Sequence, residues 1–142
     1  MASSSSLSQF VETYRFWDIV TLWARERLEH EEVVARALAQ GIIRGGLCAQ
    51  SIDPQWIPGN EPKVEFRGYP YVGFRASQNS AMCILRASAL EHLLSVVRKG
   101  IRPARARLAE EFVSRNDFSL WALSNNIPLP EFWFGAPGNA AR

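Results

Sequence analysis

The stretch FVETYRFWDIVTLWARERLEHEEVVARALAQGIIRGG, residues 10–46, decides the fold because it contains no proline and no glycine before Gly41. Its apolar side chains form two stripes at helical spacing: Phe16, Trp17, Ile19, Val20, Trp23 and Ala24, then Val33, Val34, Ala37 and Leu38. The second stripe is rotated by roughly a quarter turn from the first. This predicts a central element that is either one long helix or a helical pair broken near residues 29–32. We expect Ser8 to cap its start and Gly41 to end it.

The pattern changes after residue 46. Turn-forming residues dominate 48–63, and short alternating or apolar runs then occupy 64–67, 71–74 and 81–86. These runs predict a small antiparallel sheet of two or three short strands packed against the helices.

Three further helices are expected beyond the sheet. Ser88 and Glu91 match a capping box, and Gly100 ends the helix that follows. Pro103 suits the first position of a second helix, with Leu108, Phe112 and Val113 on its apolar side. Ser114 caps a third helix. The predicted class is therefore α+β, mainly α.

Size and composition indicate one compact domain over residues 1–142, with 1–7 and 135–142 as loose tails. The chain has no apolar run of membrane-spanning length, and its opening residues lack the features of a secretion signal. Its two cysteines, Cys48 and Cys83, have no Cys-x-x-Cys spacing. We expect two reduced thiols packed in the core of a cytoplasmic protein, with a structural disulfide as the less favoured alternative.

Charge is distributed unevenly. Residues 1–65 carry 6 basic and 9 acidic side chains, whereas residues 66–142 carry 10 basic and 5 acidic. Two clusters are candidate partner-binding sites, one basic and one acidic: Arg98, Lys99, Arg102, Arg105 and Arg107, and Glu26, Glu29, Glu31 and Glu32. The basic cluster fits an anionic protein surface or nucleic acid, or is a solvated turn.

Catalytic and cofactor signals are weak. Arg25 and His30 have the spacing of the Arg/His pair of HEPN-like ribonuclease toxins, but they lie in an acidic run that repels phosphate. His92 has no set of ligands at metal-binding spacing, and no phosphate-loop motif is present. We therefore expect a non-enzymatic protein with no cofactor and no metal. Residues 103–125 leave a DNA-binding helix-turn-helix open as an alternative.

The C-terminal stretch PLPEFWF, residues 128–134, combines two prolines with three aromatic side chains. Aromatic side chains serve either as core filling or as interface anchors. We favour a core clasp that docks on the surface formed by Phe16, Trp17 and Trp23.

Two segments resemble small accessory proteins of proteobacterial phages and genomic islands: YRFWDIVTLWARERL at 14–28, and Asp117-Phe118-x-x-Trp121 followed by Leu129-Pro130-x-Phe132-Trp133-Phe134. The resemblance implies a mobile-element setting and transfers no catalytic motif. It suggests an anti-CRISPR-like inhibitor that binds a larger host protein complex, one that handles nucleic acid. A DNA-binding regulator and a ribonuclease toxin remain the alternatives.

Overall fold

The computed structural model describes residues 11–44, 46–51, 71–75 and 82–135, and it confirms the mainly α, α+β class. The five α-helices in these residues are α1 (Phe16–Arg27), α2 (Glu31–Ile43), α3 (Ala87–Lys99), α4 (Arg115–Ser124) and α5 (Glu131–Phe134). The strands are β1 (Thr13–Arg15), β2 (Gln50–Ser51), β3 (Tyr71–Arg75), β4 (Met82–Arg86) and β5 (Glu111–Ser114). Two 3-10 turns, Arg102–Ala104 and Ala106–Leu108, precede β5.

Residues 10–46 form a helical pair. Leu28 ends α1 in the left-handed conformation, with φ 55° and ψ 44°, and its N–H donates to the carbonyls of Ala24 and Arg25. The break falls at 28–30, which settles the alternative that the apolar stripes left open. Two boundary predictions are wrong: Gly41 lies inside α2, and the residues just before Phe16 form a strand. Ser8 lies outside the described residues.

The described strands form two antiparallel sheets. The first has the order β1-β5-β2, with Tyr14 opposite Val113 and Ser51 opposite Glu111. The second pairs β3 with β4, which confirms the two strand predictions at 71–74 and 81–86. The strand predicted at 64–67 lies outside the described residues.

The helix predicted from Pro103 to Val113 is wrong. Two 3-10 turns occupy 102–108, and Phe112 and Val113 belong to strand β5. Burial along β5 alternates, with Glu111 and Val113 fully covered. Such alternation repeats every two residues. A segment of four residues is too short to distinguish this strand pattern from the spacing of a helix.

A side-chain cap marks the start of α4, and a glycine marks the end of α3. The Ser114 hydroxyl accepts from the Asp117 N–H at 3.1 Å and starts α4, as predicted. Gly100, at φ 109°, ends α3, also as predicted. The capping role of Ser88 is wrong, because α3 already begins at Ala87 and has no side-chain cap bond.

The C-terminal clasp is part of the core. Trp133 is fully buried and its indole N–H donates to the Val11 carbonyl at 2.7 Å. Its ring meets Phe118 at 5.3 Å and Tyr14 at 5.0 Å between centroids. The aromatic rings therefore dock on Phe118 and Tyr14 and not on the predicted surface of Phe16, Trp17 and Trp23.

The two cysteines are joined. Cys48 and Cys83 form a disulfide with their Cα atoms 5.6 Å apart, and both are buried. The prediction that they pack in the core is confirmed, and the prediction that they are reduced thiols is wrong. The bond fixes the segment before β2 to strand β4. Sequence spacing could not show this, because the two residues are 35 positions apart.

Candidate partner-binding surface

The basic segment follows the end of α3. Arg98 and Lys99 occupy the last helical turn, where cations complement the partial negative charge of the helix end. Arg102 and Arg107 project from the two 3-10 turns. The turns are held against the body by Ala104 and Leu108, which are 1% and 0% exposed. The cations are thus presented on an anchored scaffold.

Arg105 differs from its neighbours because it is engaged within the chain. Its guanidinium forms a salt bridge with Glu31 and lies over the ring of Trp17, 4.8 Å from the centroid. Glu31 also accepts from the Thr21 hydroxyl at 3.2 Å. Arg105, which lies between the two 3-10 turns, therefore links this segment to α1 and α2.

The other four cations define what we call the basic surface: Arg98, Lys99, Arg102 and Arg107. All four are exposed, and none forms a salt bridge with another described residue. The surface carries four positive charges from a short segment. An exposed cluster of like charges attracts an oppositely charged partner and accelerates its association.

The four predicted acidic contact residues are engaged inside the chain. The Glu26 carboxylate accepts from the backbone N–H groups of Glu131 and Phe132, each at 2.8 Å, and so caps α5. Glu29 pairs with Arg27 and Glu32 pairs with Arg36. With Glu31 bound to Arg105, each of the four carboxylates has a partner within the chain.

The structure brings the basic and acidic segments together. An open groove of about 540 Å³ is lined by His30, Glu31, Glu32, Val33, Arg36 and Ile101. Ile101 comes from the basic segment, and the others come from the start of α2. A Cβ placed on Gly100 would lie 3.4 Å from the Glu32 carboxylate. The two clusters are therefore neighbours, and Glu31 and Glu32 locally offset the basic surface.

The candidate catalytic pair is split by the helix break. Arg25 lies in the last turn of α1, and His30 directly precedes α2. Both side chains are exposed, and Arg25 does not line the groove that His30 borders. His92 is half-buried on α3. In the described ranges, no three His, Cys, Asp or Glu side chains are grouped as metal ligands would be.

The helix-turn-helix alternative lacks its first helix. Residues 103–113 contain 3-10 turns and strand β5, so only α4 remains of the predicted helical pair. The exposed side chains of α4 include Leu120 and Leu123, which are 43% and 64% exposed. Residues 103–125 therefore do not form the two-helix geometry that places a recognition helix in the major groove.

One buried polar cluster was missed by sequence reasoning. Glu111 is fully buried, and its Oε2 atom accepts from Arg86 at 2.7 and 3.0 Å and from the Ser51 hydroxyl at 2.9 Å. The Arg86 backbone N–H in turn donates to the Ser51 hydroxyl at 2.8 Å. This network joins β2, β4 and β5. No local signal marks it, because its members come from three distant segments.

Comparisons with protein-family models, curated proteins and solved structures find no match to this chain. None of the helices in the described residues combines the length and the apolar character that crossing a bilayer requires.

Proposed function

We propose that this chain is a non-catalytic binding protein whose basic surface engages an acidic surface of a larger protein complex. The observation that supports this is the contrast between its two charge clusters. The four predicted acidic residues are used in internal contacts, whereas Arg98, Lys99, Arg102 and Arg107 are exposed and unpaired among the described residues. Fixed, exposed charges of one sign complement a partner of the other sign.

A protein partner fits this surface better than single-stranded nucleic acid does. Proteins that bind single-stranded nucleic acid without sequence preference add aromatic side chains that stack on bases. Here the nearby ring of Trp17 is covered by Arg105 and is 8% exposed. Binding of duplex DNA through four phosphate contacts would instead make the affinity fall with salt, with a slope of about −3.6 for log affinity against log salt concentration, so a salt titration distinguishes it.

The setting we propose is an inhibitor carried by a mobile element, acting on a host complex that handles nucleic acid. The resemblance of residues 14–28 and 117–134 to phage and genomic-island accessory proteins supports the setting. The Cys48–Cys83 bond weighs against the cytoplasmic location predicted from the sequence, because stable disulfides are rare in the cytosol.

The experiment is affinity capture from a nuclease-treated bacterial lysate with matched charge variants. One variant reverses two cations of the basic surface, Arg102→Glu and Arg107→Glu. The control reverses two exposed cations elsewhere, Arg25→Glu on α1 and Arg44→Glu at the end of α2. Both variants change the net charge equally. Circular dichroism establishes that each variant is folded before capture.

We expect the wild type and the control to retain one stoichiometric protein complex that the Arg102/Arg107 variant loses. Capture that the two variants retain equally would show that the basic surface is not the contact. Loss of all captured protein after nuclease treatment would show that the basic surface holds nucleic acid.

A further inference from the structure

The basic segment has an anionic neighbour inside the chain. Glu31, in the first turn of α2, forms a salt bridge with Arg105. The next residue, Glu32, approaches Gly100 at the other end of the segment. Arg102 and Arg105 are three positions apart in a run of helical turns, so they share one side of it. Glu31 therefore binds a cation that adjoins the basic surface, as an acidic partner would.

The contact between Arg105 and Glu31 is weak enough to be exchanged for another. The two side chains are 46% and 36% exposed, so water screens the attraction between their charges. An ion pair as exposed as this one changes an equilibrium constant by about fivefold at most. A carboxylate supplied by a partner can therefore compete with Glu31 for the guanidinium.

Both side chains keep other contacts when the pair opens. The Glu31 carboxylate accepts from the Thr21 hydroxyl at 3.2 Å, and the positive end of the α2 dipole also stabilises it. The Arg105 guanidinium lies over the Trp17 ring, 4.8 Å from the centroid. A stacked guanidinium still presents its fork of N–H donors to a carboxylate. Opening the pair therefore leaves neither charge without support.

The segment does not need the pair to keep its shape. Ala104 and Leu108 are buried beneath the two 3-10 turns, and the backbone N–H groups of Ala104 and Arg105 both donate to the Ile101 carbonyl at 3.1 Å. These contacts do not involve Glu31. The cations therefore stay in place when Glu31 is displaced.

We propose that Glu31 is an internal competitor for the basic surface, and that a carboxylate of the acidic partner replaces it on Arg105. The basic surface then gains a fifth cation. This inference rests on the proposed function, because it concerns the regulation of the same surface. A site that must first release an internal ligand binds its partner more weakly, in proportion to the fraction of molecules in which the site is free. Glu31 therefore lowers the affinity of the surface for acidic partners.

The test measures the binding of a fluorescently labelled polyglutamate peptide to the full chain by fluorescence anisotropy at low salt. Glu31→Gln removes the competing charge and keeps an oxygen that can accept from Thr21. Glu32→Gln is the matched control, because it makes the same charge change one position along, at a carboxylate that pairs with Arg36. Circular dichroism establishes that each variant is folded.

We expect Glu31→Gln to lower the dissociation constant about two- to fivefold more than Glu32→Gln does, because Glu31 and not Glu32 pairs with Arg105. This excess should vanish when both variants are made in an Arg105→Gln background. Equal gains in affinity from the two glutamine variants overturn the inference, and so does an excess that survives in the Arg105→Gln background. A Glu31→Gln variant that binds more weakly than the wild type also overturns it, because the pair would then hold the surface in its binding shape.

Failure of the proposed function gives a different result. A wild type that does not bind the peptide, or that binds it no better than the Arg102→Glu, Arg107→Glu variant, overturns the proposed function and the inference with it. If that variant loses the binding while the two glutamine variants gain equally, the proposed function stands and the inference alone is overturned.

Discussion

The Cys48–Cys83 disulfide makes a quantitative prediction, because it closes a loop between residues 35 positions apart. Cross-linking removes chain entropy from the unfolded state, by about 13 cal/mol/K for a loop of this length. At 25 °C this amounts to about 4 kcal/mol of stability. For a domain of this size each kcal/mol shifts the melting temperature by roughly 3–4 °C. We therefore expect the oxidised protein to melt about 10–15 °C above the reduced protein.

The assay compares one sequence in two redox states. Both cysteines are buried, so reduction is carried out in denaturant, followed by refolding under reductant. Thermal unfolding followed by circular dichroism then isolates the contribution of the cross-link. A thiol titration of the purified, unreduced protein in denaturant accompanies it. Two free thiols in that titration, or equal melting temperatures for the two states, would refute the reasoning.

Three substitutions test other parts of the fold by urea denaturation. Replacing glycine by alanine inside a helix normally stabilises it, but the new Cβ of Gly41→Ala would lie 2.8 Å from the Trp121 indole nitrogen. We therefore expect this variant to lose about 1–3 kcal/mol of stability. A gain in stability would show that the Trp121 ring moves to make room. Arg86→Met leaves the Glu111 carboxylate buried without its cation and should cost about 3–5 kcal/mol, most of which Glu111→Leu in the same chain recovers. An additive loss in the double variant would contradict this. Glu26→Ala removes the acceptor for the first two N–H groups of α5 and should cost about 1 kcal/mol, with Asp18→Ala, also on α1, as the exposed control. Equal losses in the two would show that the cap is not stabilising.

The parts of the fold that sequence predicted well are those specified by neighbouring residues. The apolar stripes of α1 and α2, the Ser114 cap and the Gly100 terminator depend on contacts within a few positions of the chain. The predictions failed where distant pairing decides the outcome. Phe112 and Val113 become strand residues because β1 and β2 lie on either side of them, and no local pattern contains that information.

The candidate site likewise has some features that follow from the local sequence and others that depend on contacts between distant residues. The exposure of Arg102 and Arg107 follows from residue type, because arginine side chains are mostly exposed in folded proteins. The engagement of Arg105 with Glu31 depends on a contact across 74 positions of the chain. The Glu26 carboxylate caps a helix 105 positions away in the chain. The sequence around Glu26 therefore looks the same as that around an unpaired surface carboxylate.

The pairing of β1 with β5 also governs the order of events during synthesis. Residues 13–15 find their strand partners at 112–114, and the Trp133 indole reaches back to Val11. At a translation rate of about 5–20 residues per second, the first strand waits roughly 5–20 seconds for its partner to be made. During that interval Tyr14 and the aromatic face of α1 lack their native cover. The nascent chain therefore exposes an aromatic segment until residues 112–134 have been synthesised.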